Sequence, residues 1–288
     1  MDKKGKSMKL KKGWKVAFTL PLLIIFFIVV IIPFIIGIGY SFQEWDGFAK
    51  HESIFVGMQN YFEAFKDLRF LNAAVRTTIF TIISVVTVNF FGLFFALVVT
   101  TKLKTRNIAR TMLFVPYLIG GLILGYIWKS VFSEFFLSIG WGNWLTDANK
   151  ALVAMIIVTT WQLAGYVMIV YITGIMAIPG DVLEAAQVDG AGYLQTLFKI
   201  KIPLLMPSLT ICLFLALSNC FKVYDVNISL TGAGPNNQSE MFSLNIYNEI
   251  FSLSNFGYGQ AKAIIFFLII AIVTFVQVSA TKKKEVLM

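Results

Sequence analysis

Six long apolar segments constrain the fold of this chain more than any other feature. They cover roughly residues 17–40, 72–100, 107–131, 151–176, 204–224 and 260–280. A helix needs about 20 mainly apolar residues to cross a bilayer core of about 30 Å, because it rises about 1.5 Å per residue. The segments lack the strict alternation of apolar and polar residues that a transmembrane β-barrel shows. The sequence therefore predicts an all-α, polytopic membrane protein with six transmembrane helices.

Basic residues lie mainly on one side of the predicted bundle. Residues 1–16 hold seven lysines, and more basic residues follow the second, fourth and sixth segments. The latter are Lys102, Lys104, Arg106, Arg110, Lys199, Lys201, Lys282, Lys283 and Lys284. The positive-inside rule then places both termini in the cytoplasm, with 1–16 as a basic N-terminus, 17–280 as the membrane domain and 281–288 as a tail. Bundle topology and contact with anionic lipid explain these charges, so no nucleic acid partner is predicted.

The first apolar segment has two readings. A basic start followed by an apolar stretch is typical of a secretory signal peptide, and Gly37-Ile38-Gly39 offers small residues for cleavage. However, Ala17 to Tyr40 is longer than the apolar region of about 7–15 residues found in cleaved signals. A retained first helix is the favoured reading, and cleavage remains the alternative.

A few residues inside the apolar segments predict local packing. Pro33 and Pro116 are expected to kink their helices. Gly121 and Gly125 form a small-xxx-small pair that lets two backbones approach closely. Cys212 and Cys220 lie eight residues apart, about 12 Å along one helix, which is too far for a disulfide. We expect both cysteines to be small buried side chains.

The polar stretch between the fourth and fifth segments carries signals for two short helices. Asp181 is placed to cap a helix over Val182–Asp189, with Glu184 completing a capping box. Gly190 ends that helix, since glycine tolerates the left-handed conformation of a helix C-terminus. A second helix follows over Tyr193–Ile200. The pattern predicts a helix–turn–helix.

This helix–turn–helix is more apolar than a solvated loop requires, and Pro203 is expected to open the fifth span. The apolar residues are Leu183, Ala185, Ala186, Leu194 and Phe198. Such a surface either docks on another protein or lies on lipid headgroups. The residues alone leave these two readings open.

The spacing in this stretch resembles a known signature. Glu184-Ala185-Ala186 is followed after three residues by Gly190, and after nine more by Ile200-Lys201-Ile202-Pro203. This is similar to the cytoplasmic signature loop of permease subunits of binding-protein-dependent ABC importers, with Ile202 where leucine is usual. The carbohydrate-type permeases are also similar at 33–42, 55–61, 110–117, 230–235 and 255–261, with Ala233 where glycine is common.

The resemblance implies the type I, maltose-permease-like fold and a set of partners. A second, paralogous permease would complete a heterodimer, two cytoplasmic ATPase subunits would grip the loop 177–203, and an extracytoplasmic binding protein would deliver a sugar. The implied location is a bacterial cell membrane. Glu184 would face a basic region of the ATPase, and Gly190 would give the bend that fits it. The coupling residues are expected to be Asp181, Glu184, Ala185, Ala186, Asp189, Gly190, Ile200 and Pro203.

Polar and aromatic residues inside the fourth and fifth segments are candidates for the solute pathway. Buried polar groups in a membrane tend to face the bundle interior or a water-filled cavity. Aromatic faces and amides suit the C–H surface and hydroxyl groups of a sugar. The candidates are Trp161, Gln162, Tyr166, Asn219, Lys222, Tyr224 and Asp225. Lys222 and Asp225 lie near the outer end of the fifth segment and have the alternatives of snorkelling to the interface or pairing with each other. Trp161 has the alternative of packing on a neighbouring helix.

No signal for catalysis accompanies these features. The sequence lacks a GxxxxGK[ST] phosphate loop and has one histidine, so we predict no catalytic residue, no metal site and no cofactor. A non-catalytic sugar permease that relies on separate ATPase subunits is the favoured function. One alternative is an ABC permease for another solute such as glycerol phosphate, for which only Lys222 offers a fixed positive charge. The other is an ion-coupled secondary transporter, which would need ionisable residues in mid-span.

Overall fold

The computed structural model of the chain describes residues 12–48, 50–101, 105–283 and 285. Nearly all regular secondary structure in these ranges is helical. Most of the predicted basic N-terminus 1–16 and part of the tail 281–288 lie outside the described residues, as do Lys102, Lys104 and Lys284.

Four uninterrupted helices in the described residues are long and apolar enough to cross a membrane. They are Phe18–Ser41, Leu68–Val99, Ala148–Ala177 and Phe256–Lys282. Two bent pairs pass the same test together: Arg106–Leu118 with Gly121–Ser138, bent by 97°, and Tyr193–Leu204 with Met206–Phe221, bent by 70°. By length and composition, the chain has six spans when each bent pair counts as one. The six predicted segments each fall on one of these spans, but the third and the fifth are broken.

The α-helices, in chain order, have the following bounds. They are α1 Lys12–Phe26, α2 Ile32–Ser41, α3 Gln59–Ala64, α4 Leu68–Val99, α5 Arg106–Leu118, α6 Gly121–Ser130, α7 Phe136–Ser138, α8 Ala148–Ala177, α9 Gly180–Val188, α10 Tyr193–Thr196, α11 Ile202–Leu204, α12 Met206–Phe221, α13 Phe242–Tyr247 and α14 Phe256–Lys282. Segments of π-helix cover Phe27–Ile31, Val131–Phe135, Leu197–Lys201, Asn227–Thr231 and Asn248–Ser252, and 3₁₀ turns cover Trp144–Thr146 and Pro235–Asn237. Strand β1 (Gln43–Glu44) pairs antiparallel with β2 (Ile54–Phe55).

The two predicted proline kinks have different outcomes. The π-helical segment Phe27–Ile31 ends two residues before Pro33, and the first span continues through both as one helix, so Pro33 does not break it. In the third span, α5 ends two residues after Pro116, and the chain turns by 97° before α6 begins. Gln162 donates to the carbonyl oxygen of Ile119 in this break at 2.9 Å. The side chain of α8 thus satisfies a backbone group that the broken helix cannot.

Helices α4, α8 and α12 form the core of the bundle. Gly92 of α4 lies against Val167 of α8, which lets the two helix backbones approach closely. Tyr171 is buried and donates its hydroxyl hydrogen to Asn89 Oδ1 at 2.8 Å, joining α8 to α4. Cys212 and Cys220 of α12 are buried and free, as predicted.

The Gly121–Gly125 pair packs α6 against the π-helical segment Asn227–Thr231. A Cβ atom on Gly121 would lie 2.8 Å from Cβ of Asp225, and one on Gly125 would overlap Ser229. Ser229 Oγ is 3.5 Å from the Gly121 carbonyl oxygen. The predicted role of this glycine pair in close packing is confirmed.

A buried ion-pair network ties the start of α4 to α14. Lys262 of α14 is fully buried and donates to Asp67 and to Glu249, each at 2.7 Å. Asp67 is also the N-cap of α4 and accepts from the backbone N–H of Arg69 in its first turn. Burial raises the pKa of Asp67, but the hydrogen bond and the charge of Lys262 together outweigh this effect. The pKa of Asp67 therefore lies below its usual value. The lysine thus neutralises carboxylates from two separate parts of the chain.

A second ion pair extends this network. Arg69 forms a bidentate pair with Glu240, at 2.7 Å and 2.6 Å, and Glu240 is almost fully buried. Glu240 also accepts hydrogen bonds from Asn245 and Asn248. The segment between α12 and α14 is therefore fixed to the start of α4 by charge-assisted hydrogen bonds, which are stronger than neutral ones.

Candidate functional site

The stretch between the fourth and fifth spans forms the predicted helix–turn–helix. α9 ends at Val188, and Gly190 has a φ of +75°, a left-handed conformation that glycine adopts without steric cost. The backbone N–H of Ala191 donates to the carbonyl oxygen of Ala186 at 2.9 Å and closes the turn. α10 then starts at Tyr193. The predicted bend at Gly190 is confirmed.

The start of this structure differs from the prediction. α9 begins at Gly180, Pro179 occupies its N-cap position, and no side chain caps it. The predicted capping box of Asp181 and Glu184 is therefore wrong. Pro179 has no N–H, which suits it to this position, and Asp181 lies instead in the first turn. A carboxylate in the first turn is still favoured by the helix dipole.

The end of the structure differs as well. The second helix is α-helical only over Tyr193–Thr196, and Leu197–Lys201 continues it as π-helix. Ile200 belongs to this π-helical segment, and Pro203 lies in α11, before the 70° bend. The prediction that Pro203 opens the fifth span is wrong, because the straight part of that span begins at Met206.

The helix–turn–helix presents a surface that is both apolar and acidic. Val188 is 88% exposed, and Tyr193, Leu194 and Phe198 are each more than 60% exposed. The carboxylates of Asp181, Glu184 and Asp189 are exposed too, as is Ala185, whereas Ala186 is buried. Within the described ranges, none of these three carboxylates forms an ion pair. We call this surface, residues 180–198, the loop surface.

Five of the seven predicted pathway residues line one polar cavity. The cavity has a volume of about 270 Å³ and lies among α5, α6, α8 and the end of α12. Its lining includes Gln162, Asn219, Lys222, Tyr224 and Asp225. Lys222 and Asp225 are both exposed and form no ion pair in the described part of the chain. The alternative that they neutralise each other is therefore not supported.

The other two predicted pathway residues lie outside this lining. Tyr166 stacks on Tyr117, with ring centroids 4.5 Å apart, and Tyr117 does line the cavity. Trp161 lies edge-on to Trp128 and lines a separate apolar cavity against α4. Trp161 thus packs on neighbouring helices, as its alternative reading held.

Sequence reasoning missed two polar residues that line the polar cavity. Tyr117 and Thr159 line it, but neither was a candidate. Tyr117 follows Pro116 at the end of α5, just before the third span breaks, and its ring stacks on Tyr166 of α8. The proline was a usable signal, since a broken helix in a membrane marks backbone that faces a cavity or a protein neighbour.

The broken-helix bundle, the polar cavity and the exposed helix–turn–helix agree with the membrane-spanning permease that the sequence predicts, and comparison with known proteins gives the family. The chain matches the family described as "Binding-protein-dependent transport system inner membrane component" over residues 88–285. It is 43% identical to the probable starch degradation products transport system permease protein AmyD of Thermoanaerobacterium thermosulfurigenes, covering 99% of each chain. It is 32% identical to the multiple sugar-binding transport system permease protein MsmF of Streptococcus mutans, covering 96% of this chain and 98% of that one.

A solved structure gives the same fold. The crystal structure of a bacterial ABC transporter involved in import of the acidic polysaccharide alginate matches with a TM-score of 0.80. The match covers 94% of this chain and 96% of that chain at 21% identity. The predicted six-helix fold of a type I ABC importer permease is confirmed, and this chain belongs to the binding-protein-dependent transport system inner membrane component family.

Proposed function

We propose that this chain is the membrane subunit of an ATP-driven importer for oligosaccharides or other sugars in a bacterial cell membrane. Family membership supports the transport role, and the named substrates of the two relatives, starch degradation products and multiple sugars, support the sugar. A second permease completes the pathway, two separate ATPase subunits supply the energy, and a soluble binding protein delivers the solute. Both termini lie in the cytoplasm, as the distribution of basic residues indicates.

The loop surface carries this proposal. Glu184 and Gly190 have the spacing of the family's signature. In the two short helices, Glu184 is exposed on the same surface as several exposed apolar side chains. An apolar patch rimmed by charge is typical of a protein interface. The ATPase binds here through a basic region that faces Glu184. Closure of the ATPase dimer on ATP then moves the loop surface and, through α11, the fifth span.

Two substitutions test the coupling role. Glu184→Lys reverses the exposed charge, and Gly190→Pro forbids the left-handed turn, since proline fixes φ near −65°. We expect each to abolish sugar uptake and co-purification of the ATPase while the chain still inserts. Glu134→Lys is the matched control, because Glu134 is a carboxylate far from the loop surface in sequence. Normal uptake and normal ATPase recovery in both variants would refute the assignment.

The polar cavity is the proposed contact site for the sugar. It offers the ring of Tyr117 for stacking and the amides of Gln162 and Asn219 for hydroxyl groups. At about 270 Å³ it is close to the lower end of the range of small-molecule sites. The cavity therefore holds one part of an oligosaccharide, and the partner permease covers the rest.

Asn219→Ala tests this contact in the assembled transporter. We expect it to raise the sugar concentration that gives half-maximal ATP turnover, because an amide that pairs with a hydroxyl group is lost. Asn107→Ala, at an exposed position near the start of α5, serves as the control. An unaltered concentration dependence in Asn219→Ala would remove this residue from the site.

A phosphorylated solute is the second candidate. Lys222 lines the polar cavity without an ion pair in the described ranges, and a free ammonium there favours an anion. Asp225 lines the same cavity and counters that charge. Competition of glycerol phosphate with labelled maltose during uptake distinguishes the two, since only an anion-specific pathway would prefer the phosphate.

A further inference from the structure

Arg76 is an unpaired charge inside a predicted membrane span. It lies nine residues after Asp67, about 13 Å along α4, and is only partly exposed. Two other cations of the same region, Arg69 and Lys262, each hold a carboxylate. The positive charge of Arg76 helps to lower the pKa of Asp147, as the smallest of several causes. Within the described residues, Arg76 forms no ion pair and no hydrogen bond. Its guanidinium is therefore available to bind an anionic group that is not part of the described chain.

Arg76 lines a separate cavity of about 370 Å³ with a positive, donor-rich wall. The lining is Arg69, Asn72, Arg76, Asn236, Asn237 and Gln238. Glu240 neutralises Arg69 and is itself saturated by hydrogen bonds, so the net charge of the wall comes from Arg76. A planar guanidinium beside several amides matches the two oxygens of a carboxylate.

The loop side of this cavity is held in a fixed conformation. Ala233, Asn236 and Asn237 have φ values of 71°, 53° and 57°, which non-glycine residues rarely adopt. The backbone N–H of Ser239 donates to the carbonyl oxygen of Ala233 at 2.8 Å. Asn227 donates to the carbonyl oxygen of Ser239 and accepts from the N–H of Met241, so both ends of the turn are anchored. A preorganised wall loses little entropy on binding.

We propose that this cavity, the Arg76 pocket, receives an aspartate or glutamate side chain of the soluble solute-binding protein. The proposal rests on the proposed function and on the orientation that places the start of α4 at the outer face. Asn236, Asn237 and Gln238 at its mouth are exposed and polar, which suits a soluble protein better than lipid. The pocket shares no lining residue with the polar cavity between α5 and α12, which argues against a sugar.

The test uses the reconstituted transporter with its binding protein in nanodiscs. ATP turnover is measured against the concentration of sugar-loaded binding protein for wild type, Arg76→Glu and Arg76→Lys. We expect Arg76→Glu to raise the half-maximal concentration by about tenfold or more, since like charges at an interface oppose association. Arg76→Lys keeps the charge and should lie between the two. High salt should narrow the difference, and Lys50→Ala, at an exposed outer-loop lysine, should have no effect.

The outcomes separate this proposal from the function on which it rests. If the wild-type complex shows no stimulation by the binding protein, the proposed function fails. If wild type responds and Arg76→Glu needs the same concentration of binding protein, the docking role is wrong and the proposed function stands. A change in Arg76→Glu that appears only in the sugar or anionic-lipid dependence, at saturating binding protein, assigns the pocket to another ligand and also overturns the proposal.

Discussion

Replacing Lys262 by methionine probes the buried network most directly. Methionine fills a similar volume, but it leaves Glu249 and Asp67 without the ammonium that both contact at 2.7 Å. Glu249 is almost fully buried, so its carboxylate would be an uncompensated charge in a low-dielectric interior. Breaking a buried pair by removing one partner costs about 3–5 kcal/mol. Because one lysine serves two carboxylates here, we expect the upper part of that range.

Unfolding of the purified chain in mixed micelles, followed by tryptophan fluorescence, measures this loss. Lys129→Met removes an exposed lysine and should change the free energy of unfolding by no more than about 0.5 kcal/mol. The double variant Lys262→Met with Glu249→Gln should recover about 0.5–3 kcal/mol of the loss, because the two residues are in contact. A loss below about 1 kcal/mol in Lys262→Met would refute the reasoning, since it would mean that solvation by water or a bound counter-ion replaces the lysine at these carboxylates.

Three further predictions concern stability. Asp67 has a lowered pKa in the folded chain, so the stability it contributes is complete above its usual pKa and is lost below about pH 4; Asp67→Asn should flatten the acid limb of a pH-dependent unfolding curve. Gly165→Ala should destabilise the bundle by about 1–3 kcal/mol, because the added Cβ meets a backbone carbonyl of α5; Gly180→Ala, with nothing within 4 Å, should be near neutral in the same thermal unfolding assay. Tyr171→Phe should cost about 1 kcal/mol through loss of the hydrogen bond to Asn89, and equal unfolding curves would contradict that contact.

The spans and the helix–turn–helix could be predicted because their signals are local. About 20 apolar residues specify a membrane helix wherever they occur, and the bend at Gly190 needs only a glycine after a short helical pattern. The start of α9 was mispredicted because two local signals compete there. Pro179 takes the N-cap position, so helix α9 includes Gly180 and Asp181 loses the capping role.

The polar cavity was only partly predictable. Polarity within an apolar span identified Gln162 and Asn219 as cavity residues. It could not show which of the residues next to them in sequence also face the cavity. Successive residues on a helix point about 100° apart, so adjacent positions such as Trp161 and Gln162 can face different neighbours. The outcome follows this geometry, with Trp161 against α4 and Gln162 in the cavity.

The ion-pair network could not be predicted from the sequence. Lys262 and Asp67 are separated by 195 positions, and no periodicity within either helix indicates that they meet. Their contact depends on how α14 packs beside α3 and the start of α4. Arg76 was overlooked for a related reason, since one charge near the end of a span is indistinguishable from a residue that reaches back to the interface.

The 70° bend near Leu205 joins two helical segments of similar length, Tyr193–Leu204 and Met206–Phe221. From the bend, Tyr193 lies about 17 Å away along one segment and Asn219 about 20 Å along the other. If the bend is rigid, a displacement of the Tyr193 end of the first helix rotates the second helix through the same angle. Because the two lengths are similar, the displacements at the two ends are similar too. A shift of 1 Å at one end would therefore produce a shift of about 1 Å at the other, in a direction rotated by the angle between the two helices. Transmission of this movement requires a rigid bend. Leu205→Gly should therefore uncouple movement of the Tyr193 end from movement of the Asn219 end, while both helices stay folded.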